Sequence, residues 1–281
     1  MRLAMVHDGA RAGLALAEGD TSKVIWANDE TYPGSLDDLV GNSGSLQALT
    51  AAFARAAAVD TTGLRFLPPL ARPYKIICVG LNYRDHAAES NVQPPRHPEI
   101  FLRVASSLVG HDATFAMTPL SDNLDYEAEL VAIIGRAGKD IAAENALDHV
   151  AAYSIFNDIT LRDYQFRTSQ WIIGKNFDGT GAFGPWLVTA DDLPSGARGL
   201  RIATVLNGET VQDANTDDLI FDVATLVSSL SRTMTLEPGD MIVTGTPGGV
   251  GMARRPPRWM KAGDVVEVTI DRIGTLRTHI V

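Results

Sequence analysis

Between Leu124 and Gly135 the chain passes from polar to apolar. Leu130-Val131-Ala132-Ile133-Ile134 is an unbroken, partly β-branched run that stops at Gly135, and turn-forming Ser121-Asp122-Asn123 lies upstream. The pattern predicts one strand over Leu124–Ile134. Side chains at i and i+2 of a strand share a face, so Glu127 and Glu129 project side by side, about 6 to 7 Å apart at their roots. Carboxylates that close repel each other, and a divalent cation between them is the usual remedy. An isolated Glu-x-Glu more often lies on a solvated sheet face.

Elsewhere the periodicity divides the chain in two. Up to about Glu30, short apolar runs broken by Asp8-Gly9, Glu18-Gly19-Asp20 and Asn28-Asp29 predict a small antiparallel sheet of hairpins. From Ser35 to Val59 the spacing of Leu36, Leu39, Leu46, Leu49, Phe53 and Ala57 becomes helical. The proline cluster Leu67-Pro68-Pro69-Leu70-Ala71-Arg72-Pro73 then reads as a linker. The expected organisation is a small N-terminal β-rich domain and linker at 1–72, followed by a larger domain at 73–281.

In the larger part, Tyr74 to Gly80 predicts a buried strand, and Leu81 to Glu89 a turn into a short helix. His86 and Glu89 are three apart there, on one face; such a pair can form a general base, or can be incidental on an exposed turn. Asn91 to Pro98, polar and proline-rich, has the composition of a mobile lid. Ile141 to Val150 reads as a helix, and Ala151 to Asp158 as a buried strand ending in an acid. Asp158 either completes an all-oxygen, three-carboxylate site suited to magnesium, manganese or calcium, or caps the helix expected over Ile159 to Phe166.

Lys175, between Gly174 and Asn176, is a candidate substrate-facing cation. Gly179-Thr180-Gly181-Ala182-Phe183-Gly184 fits G-x-G-x-x-G, yet Pro185-Trp186 follows where a dinucleotide fingerprint needs a helix. Gly174-Lys175 is not a Walker loop, because Ser169 and Asn176 replace its first glycine and final hydroxyl residue. The last third predicts strands at Leu200–Leu206, Met241–Thr244 and Asp264–Ile270 and a helix at Phe221–Thr233. The glycines of Gly245 to Gly251 let backbone N–H groups approach an anion, or simply make a turn.

Composition narrows the partners. Among 281 residues, 24 basic and 34 acidic side chains give a net charge of −10, and the basic ones form no dense cluster, which argues against nucleic acid or an anionic membrane as the main partner. The first residues meet His7 and Asp8 too early for a signal peptide, and no apolar run reaches spanning length. A single cysteine, Cys78, in a predicted buried strand points to a reducing, cytoplasmic setting.

Taken in order, Val79-Gly80-Leu81-Asn82-Tyr83-Arg84-Asp85-His86, Asp125-Tyr126-Glu127-Ala128-Glu129, Phe156-Asn157-Asp158, Gly174-Lys175, Gly245-Thr246-Pro247 and Lys261-Ala262-Gly263-Asp264-Val265-Val266-Glu267-Val268 resemble the fumarylacetoacetate hydrolase family. The resemblance runs from about Tyr74 to the end. It implies an α+β, β-rich fold, a mixed β-sandwich roll with a small N-terminal β domain, usually a homodimer. It also implies Glu127, Glu129 and Asp158 as ligands of a divalent cation, usually Mg2+ with Mn2+ or Ca2+ as substitutes. His86 and Glu89 match the base dyad, Lys175 the catalytic lysine, and Tyr83, Arg103, Gln170, Gly245 and Thr246 the substrate contacts. Gly248 departs from the alanine often found in Thr-Pro-Ala-Gly.

The reaction expected from these roles is hydrolytic C–C cleavage of a 2,4-dioxo acid of the acylpyruvate type to pyruvate and a carboxylic acid. The cation chelates the keto acid, His86 activates water and Lys175 holds the oxyanion. Decarboxylation of oxaloacetate-like acids and keto–enol or double-bond isomerisation of hydroxymuconate-like diacids use the same chemistry and stand as alternatives, ahead of a non-catalytic keto-acid binder.

Overall fold

The computed structural model describes residues 1–19, 21–41, 45–89 and 93–281. Among these, most strands belong to one large sheet. Its main strands run in the order Thr21–Trp26, Ala12–Glu18, Arg2–His7, Gly181–Thr189, Val150–Asp158, Ala128–Ile134, Met241–Val243, Ile76–Gly80 and Glu99–Arg103, the last at an edge. A five-stranded sheet, ordered Glu209–Asn215, Arg201–Leu206, Val265–Ile270, Gly274–Ile280 and Ala113–Phe115, covers one face.

The alternation of side chains between the two faces of the sheet explains the stacking. Leu130, Ala132 and Ile134 enter a core shared with Ile202, Val268, Ile270 and Leu276 of the smaller sheet and with Leu226, Val227 and Leu230 of the helix Val223–Thr233. Val131 and Ile133 enter a second core, with Leu3 and Leu14 of the N-terminal strands and Leu36, Leu39, Leu49 and Phe53 of the N-terminal helices. The strand is buried on both faces, and that is why its sequence reads as continuous rather than alternating.

The N-terminal hairpins form as expected, and the helical stretch resolves into Leu36–Val40 and Ser45–Phe53. Ser35 caps the first of these through a capping box with Asp38. The N-terminal strands continue the large sheet, since Arg2 and Leu3 pair with Val188 and Leu187. No strand over Gly181–Thr189 was expected from the sequence, where glycines and Pro185 argue against one; a cis Gly184-Pro185 bond lies within it.

Three expectations need correction. The helix expected over Ile159 to Phe166 is instead a strand at Thr160–Leu161 followed by a short helix at Arg162–Gln165, whose N-cap is Leu161 and not Asp158. The stretch Leu124–Ile134 is not one strand: Leu124–Asp125 pairs with Thr160–Leu161, the chain breaks at Tyr126-Glu127, and Ala128–Ile134 pairs with Val150–Asp158. Ile141 to Val150 contains a 3-10 helix at Ala143–His149 rather than an α-helix. Of the expected lid, Asn91 and Val92 lie outside the described residues, and 93–98 runs without regular structure into the strand Glu99–Arg103.

Candidate metal and active site

The break at Tyr126-Glu127 positions the acids. Glu129 lies on the strand with the parity of Val131 and Ile133, opposite Phe156. Glu127 leaves the strand, but the Asp158 N–H still donates to its carbonyl at 2.9 Å, and its own N–H donates to Asn157 Oδ1 at 3.0 Å. Glu127, Glu129 and Asp158 therefore converge in the fold's interior: one carboxylate oxygen from each lies within 4.8 Å of the others, and all three residues are buried.

Three buried carboxylates demand positive charge. Lys175 Nζ donates to Glu127 Oε2 at 2.5 Å and to Asp158 Oδ2 at 2.6 Å. Arg162 binds Asp125 through Nε at 2.8 Å and Glu127 Oε1 through Nη2 at 2.6 Å. Arg103 binds Asp158 Oδ1 and the Thr180 hydroxyl. Glu129 has no salt bridge among the described residues and accepts from the Gly245 N–H at 2.5 Å. A Cβ at Gly245 would lie 2.8 Å from Asn82 Cβ, so glycine is what lets this backbone come so close.

The titration directions follow from these contacts. Burial opposes ionisation of Glu127, but Arg162 and Lys175 outweigh it and hold the carboxyl down to about 2. Burial, then the charges of Asp158 and Glu127, push Glu129 well above the carboxylate range. Burial opposes the Lys175 charge, yet Asp158 and Glu127 keep its pKa above the usual lysine value. The acid cluster thus has uncompensated negative potential at Glu129, and its donors are all oxygen. Both features fit a hard divalent cation such as magnesium, manganese or calcium.

His86 and Glu89 lie on the helix Arg84–Glu89, with Nδ1 2.8 Å from Glu89 Oε1. His86, Glu127, Glu129, Lys175 and Thr246 line one cavity of about 250 Å³, whose apolar side is built by Leu81, Phe101, Trp171 and Met252. A cavity of about 310 Å³ beside Leu39, Leu46, Arg136 and His149 is lined by none of the three acids.

Several expected contacts stand elsewhere. Tyr83 is fully buried in the core between the sheets and does not line the cavity, because an aromatic ring at a sheet-to-helix turn packs inward. Gln170 is exposed and outside the lining; the buried amide that lines the cavity is Gln165, which accepts from Arg162 Nη1 at 3.0 Å. Arg103 is spent on Asp158 and the Gly245 N–H on Glu129, so these two shape the acid cluster rather than the cavity wall. Sequence reasoning passed over Arg162 and Gln165. The available signal was their i, i+3 spacing just after Asp158, on what proves to be the short helix Arg162–Gln165.

A buried, all-oxygen acid cluster beside a His–Glu dyad, on the face of the large sheet turned away from the smaller one, is a candidate divalent-metal site on a two-sheet scaffold. Residues 75–281 match the fumarylacetoacetate (FAA) hydrolase C-terminal family, and the chain belongs to that family. It is 38% identical to an oxaloacetate tautomerase, fahd2, mitochondrial, of Xenopus laevis over 275 residues, covering 96% of this chain and 86% of the relative. A solved fumarylacetoacetate hydrolase from Exiguobacterium antarcticum superposes with a TM-score of 0.87 at 36% identity, covering 100% of this chain and 99% of that one. The maleylpyruvate hydrolase of Sphingobium sp. SYK-6, solved in complex with manganese (II) ion and pyruvate, gives 0.81 at 29% identity, covering 100% and 99%.

Proposed function

We propose that this chain is a divalent-metal-dependent keto–enol tautomerase of a short 2-oxo acid of the oxaloacetate class. The observation that carries the reading is the division of labour in the cavity: His86, paired to Glu89, is the group available to move a proton, while Lys175 is committed to Glu127 and Asp158. Proton transfer at carbon needs a base beside a polarised carbonyl and nothing more. Hydrolysis asks in addition for a group to hold a second oxyanion. The relatedness to an oxaloacetate tautomerase over 96% of this chain supports the same reading.

Glu127, Glu129 and Asp158 would hold the ion, with Mg2+ the proposed occupant and Mn2+ or Ca2+ as substitutes. When bound, it supplies Lewis-acid stabilisation of charge on the 2-oxo oxygen. Glu89 fixes the His86 tautomer through Nδ1, leaving Nε2 as the base. His86 takes a C3 proton, the C3–H electron pair becomes the C2–C3 double bond, and the same imidazolium returns the proton to the 2-oxo oxygen. Leu81, Phe101 and Trp171 keep bulk water from the exchanged proton.

A second reading, hydrolysis of acylpyruvates, is favoured by the apolar wall of Leu81, Phe101, Trp171 and Met252, which suits an uncharged acyl group better than a second carboxylate. One experiment separates the two. The Mg2+-loaded protein is given oxaloacetate and, separately, acetylpyruvate, following enol absorbance, C3 deuterium exchange and acetate release. Accelerated enol–keto exchange without acetate supports the tautomerase; stoichiometric acetate and pyruvate favour the hydrolase, and CO2 from oxaloacetate favours a decarboxylase.

The proposal includes a cytoplasmic homodimer. Cys78 is buried as a free thiol, and no helix among the described residues is long and apolar enough to cross a membrane. Ile100, Leu102 and Val104, on and just after the outermost strand of the large sheet, expose 40%, 46% and 50% of their surface and offer a second copy an apolar face. Light scattering after size exclusion tests this.

A further inference from the structure

Gln212 lies on the strand Glu209–Asn215 and is 2% exposed. Its amide makes four hydrogen bonds. Oε1 accepts from the Ala128 N–H at 3.0 Å and from the Thr204 hydroxyl at 2.7 Å. Nε2 donates to the Pro247 carbonyl at 2.9 Å and to Thr246 Oγ1 at 2.9 Å. A backbone N–H can only donate and a carbonyl can only accept, so Ala128 and Pro247 fix which end of the amide is which. Ala128 stands between Glu127 and Glu129. One side chain therefore ties the acid-bearing strand to the Gly245-Thr246-Pro247 turn.

The polarity of Thr246 follows. A hydroxyl has one hydrogen to give, and here one of its lone pairs is taken by Gln212 Nε2. Among the described residues it donates to no protein group, and it lines the cavity beside the acids. A hydroxyl held this way presents its hydrogen to an acceptor, and the acceptor-rich end of a 2-oxo acid is its carboxylate.

We propose that Gln212 is a positioning residue that makes Thr246 a hydrogen-bond donor to the carboxylate of the bound 2-oxo acid and keeps it in register with Glu127 and Glu129. This rests on the cavity being a 2-oxo acid site, but not on which reaction follows.

The test is calorimetric binding of pyruvate to the Mn2+-loaded protein, with Mn2+ affinity measured separately. Gln212→Met removes the donor. Gln212→Glu keeps an acceptor for Ala128 but turns the Thr246 hydroxyl toward itself. Both should weaken pyruvate binding about tenfold, the size of one hydrogen bond, as should Thr246→Val, with Thr246→Ser restoring it. Added to Thr246→Val, Gln212→Met should cause no further loss, and Mn2+ affinity should stay within about threefold throughout, as expected of coupled neighbours.

Independent, additive losses at the two positions, a parallel fall in Mn2+ affinity, or unchanged pyruvate binding in both Gln212 variants overturns the inference. If Gln212→Met does not fold, Gln212→Glu carries the same comparison. Failure of the wild-type chain to bind pyruvate at all overturns the site reading itself, whereas pyruvate binding without turnover of oxaloacetate removes only the tautomerase.

Discussion

The Gly249 N–H donates to Glu89 Oε2 at 2.9 Å while Glu89 Oε1 pairs with His86 Nδ1, so a glycine backbone orients the acid that orients the base. Gly249 has φ +97°, and a Cβ there would meet the Val211 carbonyl oxygen at 2.3 Å. Glu89→Gln, which keeps the shape and loses the charge, should lower kcat about 100-fold, at the lower end of what a positioned base contributes. Gly249→Ala should produce a similar loss together with a lower Tm. Steady-state kinetics paired with thermal melts check both, and full activity in Glu89→Gln would remove the dyad from the mechanism.

Dialysis against a chelator should abolish turnover, and Mg2+ or Mn2+ should restore it. Glu129→Gln should not be rescued at ion concentrations that saturate the wild type, because one of three oxygen donors has lost its charge. Metal titrations followed by activity measure this, and chelator-resistant turnover contradicts it.

Arg103 and Gln170 should behave in opposite ways. Arg103→Met leaves the buried Asp158 carboxylate with Lys175 as its remaining cation, a loss of about 1.5–3 kcal/mol of stability, the size of a hydrogen bond to a charged group. Gln170→Ala, at an exposed position outside the cavity lining, should stay within about 0.5 kcal/mol and leave KM unchanged. Urea denaturation and KM measurements decide; a raised KM in Gln170→Ala would return that residue to the site.

His111, which does not line the cavity, gives a separate pH dependence. Burial holds its imidazole below the usual range, with Arg277 and His279 acting in the same direction and Asp112 and Glu267 against it. Its Nδ1 accepts from the Arg277 N–H, and its ring packs edge-on to Phe66 at 5.6 Å. The native state then binds fewer protons than the unfolded one between the depressed value and about 6.5, so stability rises with pH across that window and is lost below it. The slope from this group is at most about 1.4 kcal/mol per pH unit, and His111→Gln should flatten it. Urea midpoints between pH 5 and 7 measure the difference.

The family and its acids were legible in the chain because they rest on local pattern. A buried strand, a strand-terminal aspartate and an i, i+3 His–Glu pair are set by short-range geometry; the structure groups Glu127 and Glu129 with Asp158, and His86 with Glu89, the two sets that the family resemblance implied. Contacts that depend on where distant segments meet were not legible. Nothing near Arg103 in sequence shows that it will be spent on a residue 55 positions away, nor does the strand around Gln212 show that its amide reaches Ala128, 84 positions back.

The break at Tyr126-Glu127 belongs with these. The apolar run forecast a strand, but two different partners, Thr160–Leu161 and Val150–Asp158, pull its ends apart. The sequence by itself determined which side chains carry the charge and in what order; tertiary structure decided which cations neutralise them. Hydrophobic periodicity acts over a few residues, whereas the pairing of a buried charge is settled only when the whole sheet closes around it.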